Sequence, residues 1–208
     1  MPEDASHSTR QPDCRRGRLV VISGPSGAGK STIVRALLGR QRFPLALSCS
    51  ATTRKPRPGE IDGVDYRFLS HEEFERRNAA GEFLECKEVF GRGHWYGTLG
   101  EEVERRLDEG KTVILEIDVE GMLAVREKCP DLLTFFVEPE SEEELERRLT
   151  ARNTDSPEDI RRRLEVARRE WEIAPQYGYR IVNLHVDQAV ADIESALAAE
   201  GVVEGPHG

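Results

Sequence analysis

A lysine and a serine closing a glycine-rich octet are the first residues of this chain whose types and spacing can do chemistry. Gly24-Pro25-Ser26-Gly27-Ala28-Gly29-Lys30-Ser31 matches G-x-x-x-x-G-K-[ST]. In that pattern the glycines let backbone N–H groups turn inward around phosphate oxygens, and a helix N-terminus adds positive potential. Lys30 then reaches the β- and γ-phosphates, the Ser31 hydroxyl ligates Mg²⁺, and Thr32 follows in the same binding segment. A glycine-rich turn with no ligand gives no reason for the lysine and the serine. The octet therefore specifies a nucleoside triphosphate, and it leaves open what is done with it.

A second group lies downstream. Ser50-Ala51-Thr52-Thr53-Arg54-Lys55-Pro56-Arg57-Pro58-Gly59-Glu60 places Arg54 and Arg57 three residues apart, with Pro56 and Pro58 restricting the backbone between and after them. Guanidinium forks suit phosphate oxygens, so the pair reads as a phosphate clamp separate from the first loop. A solvated basic loop is the alternative reading of these residues alone.

The elements that must position these groups follow an alternating pattern. Short β-rich runs occur at Leu19-Val20-Val21-Ile22, Thr112-Val113-Ile114-Leu115, 132–137 and Ile181-Val182, with helical patterns between them. The expected fold is α/β: a mostly parallel sheet of the phosphate-loop type, covered by helices on both faces. Ser70-x-x-Glu73, Thr98-x-x-Glu101, Ser141-x-x-Glu144 and Ser156-x-x-Asp159 have the capping-box spacing of helix starts, and Pro157 suits a first helical position. Gly110 and Gly121 are expected in turns. Residues 1–17 read as a disordered tail and 201–208 as a second tail. The core is expected at 18–44 and 99–200, with 45–98 inserted into it.

Bulk properties narrow the function classes. The 208 residues suffice for one α/β core, and the net charge of −9 argues against a nucleic-acid partner. Cys14, Cys49, Cys86 and Cys129 are widely spaced, as expected of reduced thiols. With no apolar run of bilayer length and no signal-like start, no membrane partner is expected and the cytoplasm is the expected location. No helix announces a self-complementary face, so the oligomeric state stays open.

The residues after the arginine pair complete a longer pattern: Asp62-Gly63-Val64-Asp65-Tyr66-Arg67-Phe68, Gly81-Glu82-Phe83-Leu84-Glu85 and Trp95-Tyr96-Gly97-Thr98. Together with the phosphate loop, this resembles the guanylate kinase family from about residue 18 to residue 198. The resemblance implies transfer of a phosphoryl group from ATP to GMP, with dGMP as a further acceptor, assisted by Mg²⁺. It implies that Arg54, Arg57, Tyr66 and Tyr96 hold the GMP phosphate, that Glu85 reads guanine, and that Ser50, Thr98 and Asp118 complete the base contacts. Guanine offers two adjacent donors to a carboxylate and an acceptor O6 to a hydroxyl. Against AMP, Glu85 loses a buried partner, at a cost of roughly a few kcal/mol.

Arg148 and Arg152 stand at i and i+4 on one helix face, with Arg163 in the next helix. The resemblance makes 148–163 a helical lid over ATP, with these three arginines meeting phosphates, and it places Asn183 against adenine. Most of the neighbouring arginines are interleaved with glutamates and read as solvated ion-pair partners. Four positions depart from the family pattern. Glu116 stands for the usual first aspartate of L-D-I-D, the 91–96 link is two residues longer, Leu184-His185 replace an acidic pair, and Asn153 replaces a lid glycine. A non-catalytic guanylate-kinase-like binding module and a same-fold kinase for another phosphorylated acceptor are the alternatives. The complete phosphate loop and lid arginines speak against the first; Ser50, Glu85 and Thr98 speak against the second.

Overall fold

The structure is a computed structural model, described over residues 16–89, 93–151 and 156–205. Five strands make a parallel sheet: β1 (Leu19–Ser23), β2 (Leu45–Leu47), β7 (Thr112–Glu116), β8 (Leu133–Glu138) and β9 (Tyr179–Val182), in the order β2-β7-β1-β8-β9. β1 is central and all five of its residues are buried, which its unbroken apolar run requires. Alternation then divides the core. Val20 and Ile22 pack with α1 (Lys30–Arg40) and α7 (Val186–Ala199) on one face. Leu19 and Val21 pack with α3 (Gly100–Asp108) and α4 (Val119–Lys128) on the other. Phe135 and Phe136, both fully buried, go to opposite faces in the same way.

The chain leaves this sheet after β2 and builds a second one of four strands. These are β3 (Ala51–Thr52), β4 (Arg67–Phe68), β5 (Phe83–Val89) and β6 (His94–Leu99), in the order β4-β3-β6-β5, mixed in direction. It has its own small core: Phe74 of α2 (His71–Ala79) stacks on Phe83 at 4.4 Å, with Ala51 and Leu99 beside them. Leu45–Leu47 therefore belong to the parallel sheet, and the second sheet opens at Ala51 and closes at Leu99, later than the expected insertion boundary of 45.

Two further helices, α5 (Glu142–Ala151) and α6 (Pro157–Ile173), pack on each other through Leu145, Leu149, Leu164 and Ala167. Three of the four expected caps form: Ser70, Ser141 and Ser156 accept the N–H of Glu73, Glu144 and Asp159 at 3.1–3.2 Å. Each contributes about 1 kcal/mol to its helix. Thr98 does not cap α3; Leu99 holds that position without a side-chain bond. Gly110 turns the chain after α3 at φ +76°, as expected, whereas Gly121 lies inside α4, packed against Ile117.

The tails are shorter than their composition suggests. Arg16 pairs with Glu104, and the Gly17 N–H donates to the Leu107 carbonyl at 2.8 Å. At the other end Val202 is buried and Gly205 donates to the Arg42 carbonyl. Residues 1–15 and 206–208 lie outside the described residues. Among the described residues no helix is long and apolar enough to cross a membrane.

Candidate active site

Parallel strands deliver their carboxyl ends to one edge, and a crevice opens at β1, where the connection from β1 runs to one side of the sheet and the later one from β7 to β8 runs to the other. The phosphate loop lies there, between β1 and α1. Gly24 has φ +137°, and a Cβ on it would stand 1.9 Å from the Val137 carbonyl oxygen, so only glycine fits. Gly29 caps α1 in the left-handed region with no side-chain bond, which leaves the first amides of the helix for an anion. Ser26, Gly27, Gly29, Lys30, Ser31 and Thr32 line a cavity of about 300 Å³ together with Glu116. Ala28 is buried beneath it, and Pro25 supports the loop by accepting the Ala28 N–H at 3.1 Å.

The side chains around this cavity are braced from below. Lys30 Nζ donates to the carbonyls of Gly24 and Pro25, the latter at 3.1 Å. Ser31 Oγ donates to Glu116 Oε1 at 2.5 Å. Asn183, 4% exposed, donates its amide to the Ala28 carbonyl at 2.7 Å. That bond makes it a prop of the loop. Arg148 binds the carbonyls of Asn183 and Ala28 at 2.8 and 3.3 Å while Glu144 holds its Nε. Arg163 reaches Ser26 Oγ at 3.3 Å. The two lid helices thus bring Arg148 and Arg163 to the phosphate loop; Arg152 and Asn153 lie outside the described residues.

The second sheet carries the other half. Ser50, Tyr66, Glu85, Lys87, Tyr96, Gly97, Ile117 and Asp118 line a cleft of about 180 Å³, and Glu116 is again on its wall. Glu85 and Thr98 face each other across β5 and β6, and the Thr98 hydroxyl donates to Glu85 Oε1 at 2.7 Å. Glu85 is 9% exposed, and burial pushes its carboxyl above the usual range. Gly97 is what allows the strands to meet: a Cβ there would lie 2.8 Å from the Glu85 carbonyl.

Arg54 stands at the mouth of this cleft. Its Nε donates to the Tyr96 hydroxyl at 3.1 Å, its guanidinium lies 5.3 Å from the Tyr66 ring centre, and Glu60 takes both of its outer nitrogens at 2.8–2.9 Å. Glu60 is held down to about 2, chiefly by Arg54 and then by the Arg57 N–H it accepts at 2.6 Å. Tyr66 and Tyr96 meet edge to face at 5.8 Å. Arg57 is exposed, and its backbone is tied to Glu60 twice: its N–H donates to the carboxylate and its carbonyl accepts the Glu60 N–H at 3.0 Å. Tyr96 thus lies beside Arg54 and Tyr66 on the cleft wall; residues 90–92 of the longer link lie outside the described residues.

Asp118 is committed on both sides, its Oδ1 capping α4 through the Gly121 N–H at 2.9 Å and its Oδ2 accepting from Lys87 Nζ. Three residues here escaped sequence reasoning. Glu60 could have been found from its place six residues after Arg54, within reach of the same loop. Lys87 could have been found from its period-2 spacing to Glu85 on one strand face. The half-buried Glu170 of α6 gave no local signal.

Comparison with known proteins agrees with this geometry. A family model described as guanylate kinase matches residues 16–200. A guanylate kinase of Rhodopirellula baltica is 55% identical over 192 residues, 91% of each chain. One from Clostridium perfringens is 50% identical over 185 residues, covering 89% of this chain and 84% of that one. A crystal structure of guanylate kinase from Anaplasma phagocytophilum superposes with a TM-score of 0.71 at 33% identity, covering 91% of this chain and 88% of that one. With a complete phosphate loop facing a carboxylate-floored cleft across Glu116, the chain belongs to the guanylate kinase family.

Proposed function

We propose that this chain transfers the γ-phosphoryl group of ATP to GMP, and to dGMP, giving ADP and GDP. The observation that carries this reading is the pair of cavities sharing one wall. Glu116 lines both the phosphate-loop cavity and the cleft floored by Glu85, so a triphosphate in one ends beside a monophosphate in the other.

The roles follow from the contacts. Guanine N1–H and its exocyclic amino group donate to the Glu85 carboxylate, which Thr98 orients. The single Thr98 proton is already given to Glu85, which leaves the Ser50 hydroxyl, on the same wall, as donor to O6. Asp118 closes the base end. Arg54, Arg57, Tyr66 and Tyr96 take the acceptor phosphate, with Arg54 exchanging part of its Glu60 pairing for phosphate oxygens. That phosphate is mostly dianionic near neutrality because its second pKa is about 6, so no general base is needed.

The rest of the barrier is electrostatic. Two anions must approach in line while charge spreads over the moving group. Lys30, Arg148 and Arg163 border the phosphate loop and answer that charge, and Arg152 completes the set. Ser31 Oγ with the Glu116 carboxylate beside it is a hard oxygen donor set that would hold Mg²⁺, which would supply positive charge against the triphosphate. Asn183 keeps the loop in shape while the lid, 148–163, excludes water. The chain works without nucleic acid or membrane, consistent with a cytoplasmic setting.

The test is ADP formation from Mg·ATP with GMP, dGMP, AMP, CMP and UMP supplied separately. Turnover confined to GMP and dGMP is expected. Comparable turnover with AMP, or none with any monophosphate from folded protein, contradicts the proposal.

A further inference from the structure

Lys87 belongs to none of the motifs, yet it is the only cation on the wall of the guanine cleft among the described residues, a wall that also carries three carboxylates, Glu85, Glu116 and Asp118. Two positions apart on β5, Glu85 and Lys87 share a strand face. Opposite them on β6 are Thr98 and Tyr96, so Lys87 stands between the base end of the cleft and its phosphate end. Its ammonium donates to Asp118 Oδ2 and to Glu120 Oε2, the latter at 3.0 Å. Both acceptors lie at the start of α4, in the other half of the molecule. One side chain therefore ties the second sheet to the core at the floor of the cleft.

A cleft that must receive a nucleotide dianion is a poor place for three carboxylates. Burial already penalises the Glu85 carboxylate, and the neighbouring Asp118 adds to that penalty. The groups that face Glu85 are Thr98 from β6, Asp118 from the end of β7 and Lys87 from its own strand; Thr98 and Lys87 favour its charged form, and Asp118 opposes it. Those that face Lys87 are Asp118 and Glu120, and Glu170 of α6 also senses it. Burial works against the Lys87 ammonium, but these two carboxylates outweigh it and its pKa is raised.

We propose that Lys87 is a positioning residue for guanine recognition: its ammonium fixes and neutralises Asp118, so that Glu85 meets the base as a carboxylate. This rests on the assignment of Glu85 to guanine. Lys87 acts through the two carboxylates and leaves the phosphate loop untouched, so its removal weakens GMP and spares ATP.

The test compares the parent with Lys87→Met, Lys87→Arg and Glu85→Gln, following kcat and both KM values from about pH 5.5 to 8.5. Lys87→Met is expected to raise KM for GMP roughly tenfold, with kcat and KM for ATP within about twofold. The acid limb of kcat/KM for GMP moves to higher pH, because Glu85 now protonates more readily. Lys87→Arg restores both. Should Lys87→Met fail to fold, Lys87→Gln takes its place. A Lys87→Met profile superposing on the parent overturns the inference, as does a parallel loss of ATP affinity that the arginine does not rescue. If Glu85→Gln leaves GMP binding intact, the reading of the cleft itself fails; if only the Lys87 variants are silent, this inference alone fails.

Discussion

The two halves of the site are built from different materials. The phosphate-loop half is a backbone device. Its working groups are amides, its shape is set by Gly24, Gly27 and Gly29 at positive φ, and buried or bonded groups such as Asn183 hold it from beneath. The second-sheet half is a side-chain device, assembled from 50–60, Tyr66, 85–87, 96–98 and Asp118. Its charged groups already hold partners inside the protein: Arg54 with Glu60, Glu85 with Thr98, Asp118 with Lys87. The difference teaches that the first half receives its anion chiefly into backbone amides that no side chain caps, whereas the second must exchange internal side-chain partners for substrate. Specificity belongs to the half that has something to exchange.

The sharpest way to break this comparison is Gly24→Ala. The new methyl meets the Val137 carbonyl at 1.9 Å at a backbone angle unsuited to alanine. Activity with any acceptor is expected to fall at least about a thousandfold, and backbone strain alone costs about 1–3 kcal/mol in chemical denaturation. A loss limited to GMP binding would erase the distinction between the halves.

Glu60→Gln comes next and probes the exchange itself. Glu60 splints Arg54 and also takes the Arg57 N–H. Its removal is expected to raise KM for GMP about three- to tenfold through lost positioning, with KM for ATP unchanged. Tighter GMP binding would make Glu60 a competitor for Arg54 in place of its splint. The carboxyl is held down to about 2, so its contribution is present above its unfolded range and is lost only as pH falls toward 2.

The smallest effect is expected between the halves. Glu170 on α6 has a buried Oε2 with no hydrogen-bond partner among the described residues, and burial pushes its carboxyl up to about 6, with Lys30 opposing. An acid raised in the folded state binds more protons folded than unfolded between about 4.5 and 6, so stability falls as pH rises through that window. Glu170→Gln is expected to gain about 1–2 kcal/mol at pH 7 and nothing below about pH 4.5, read from melting curves. A pH-independent change would show that the orphan oxygen is satisfied.

How much was legible in the sequence follows the same division. A backbone device must be contiguous, so the octet 24–31 announced itself, and the buried strands did so by their unbroken apolar runs. A side-chain device is scattered, and its members are recognisable only by resemblance or by register. Thr98 had the spacing of a cap, but a buried carboxylate opposite it claimed its proton. Leu45–Leu47 sat beside turn-rich sequence and was assigned to the insertion, although pairing with β7 places it in the core sheet. Gly121 looked like a turn because glycine is costly in a helix, and close packing on Ile117 is what keeps it there. Val202 and Gly205 were lost in a polar tail because a single docked valine has no period.

The most direct measurement is kcat/KM for GMP and for AMP, in the parent and in Glu85→Gln. The parent is expected to favour GMP strongly. The variant is expected to lose about a hundredfold or more with GMP and little with AMP, so the discrimination collapses. A Glu85→Gln enzyme that keeps both its GMP rate and its preference would contradict the claim that the carboxylate of the second sheet reads the base.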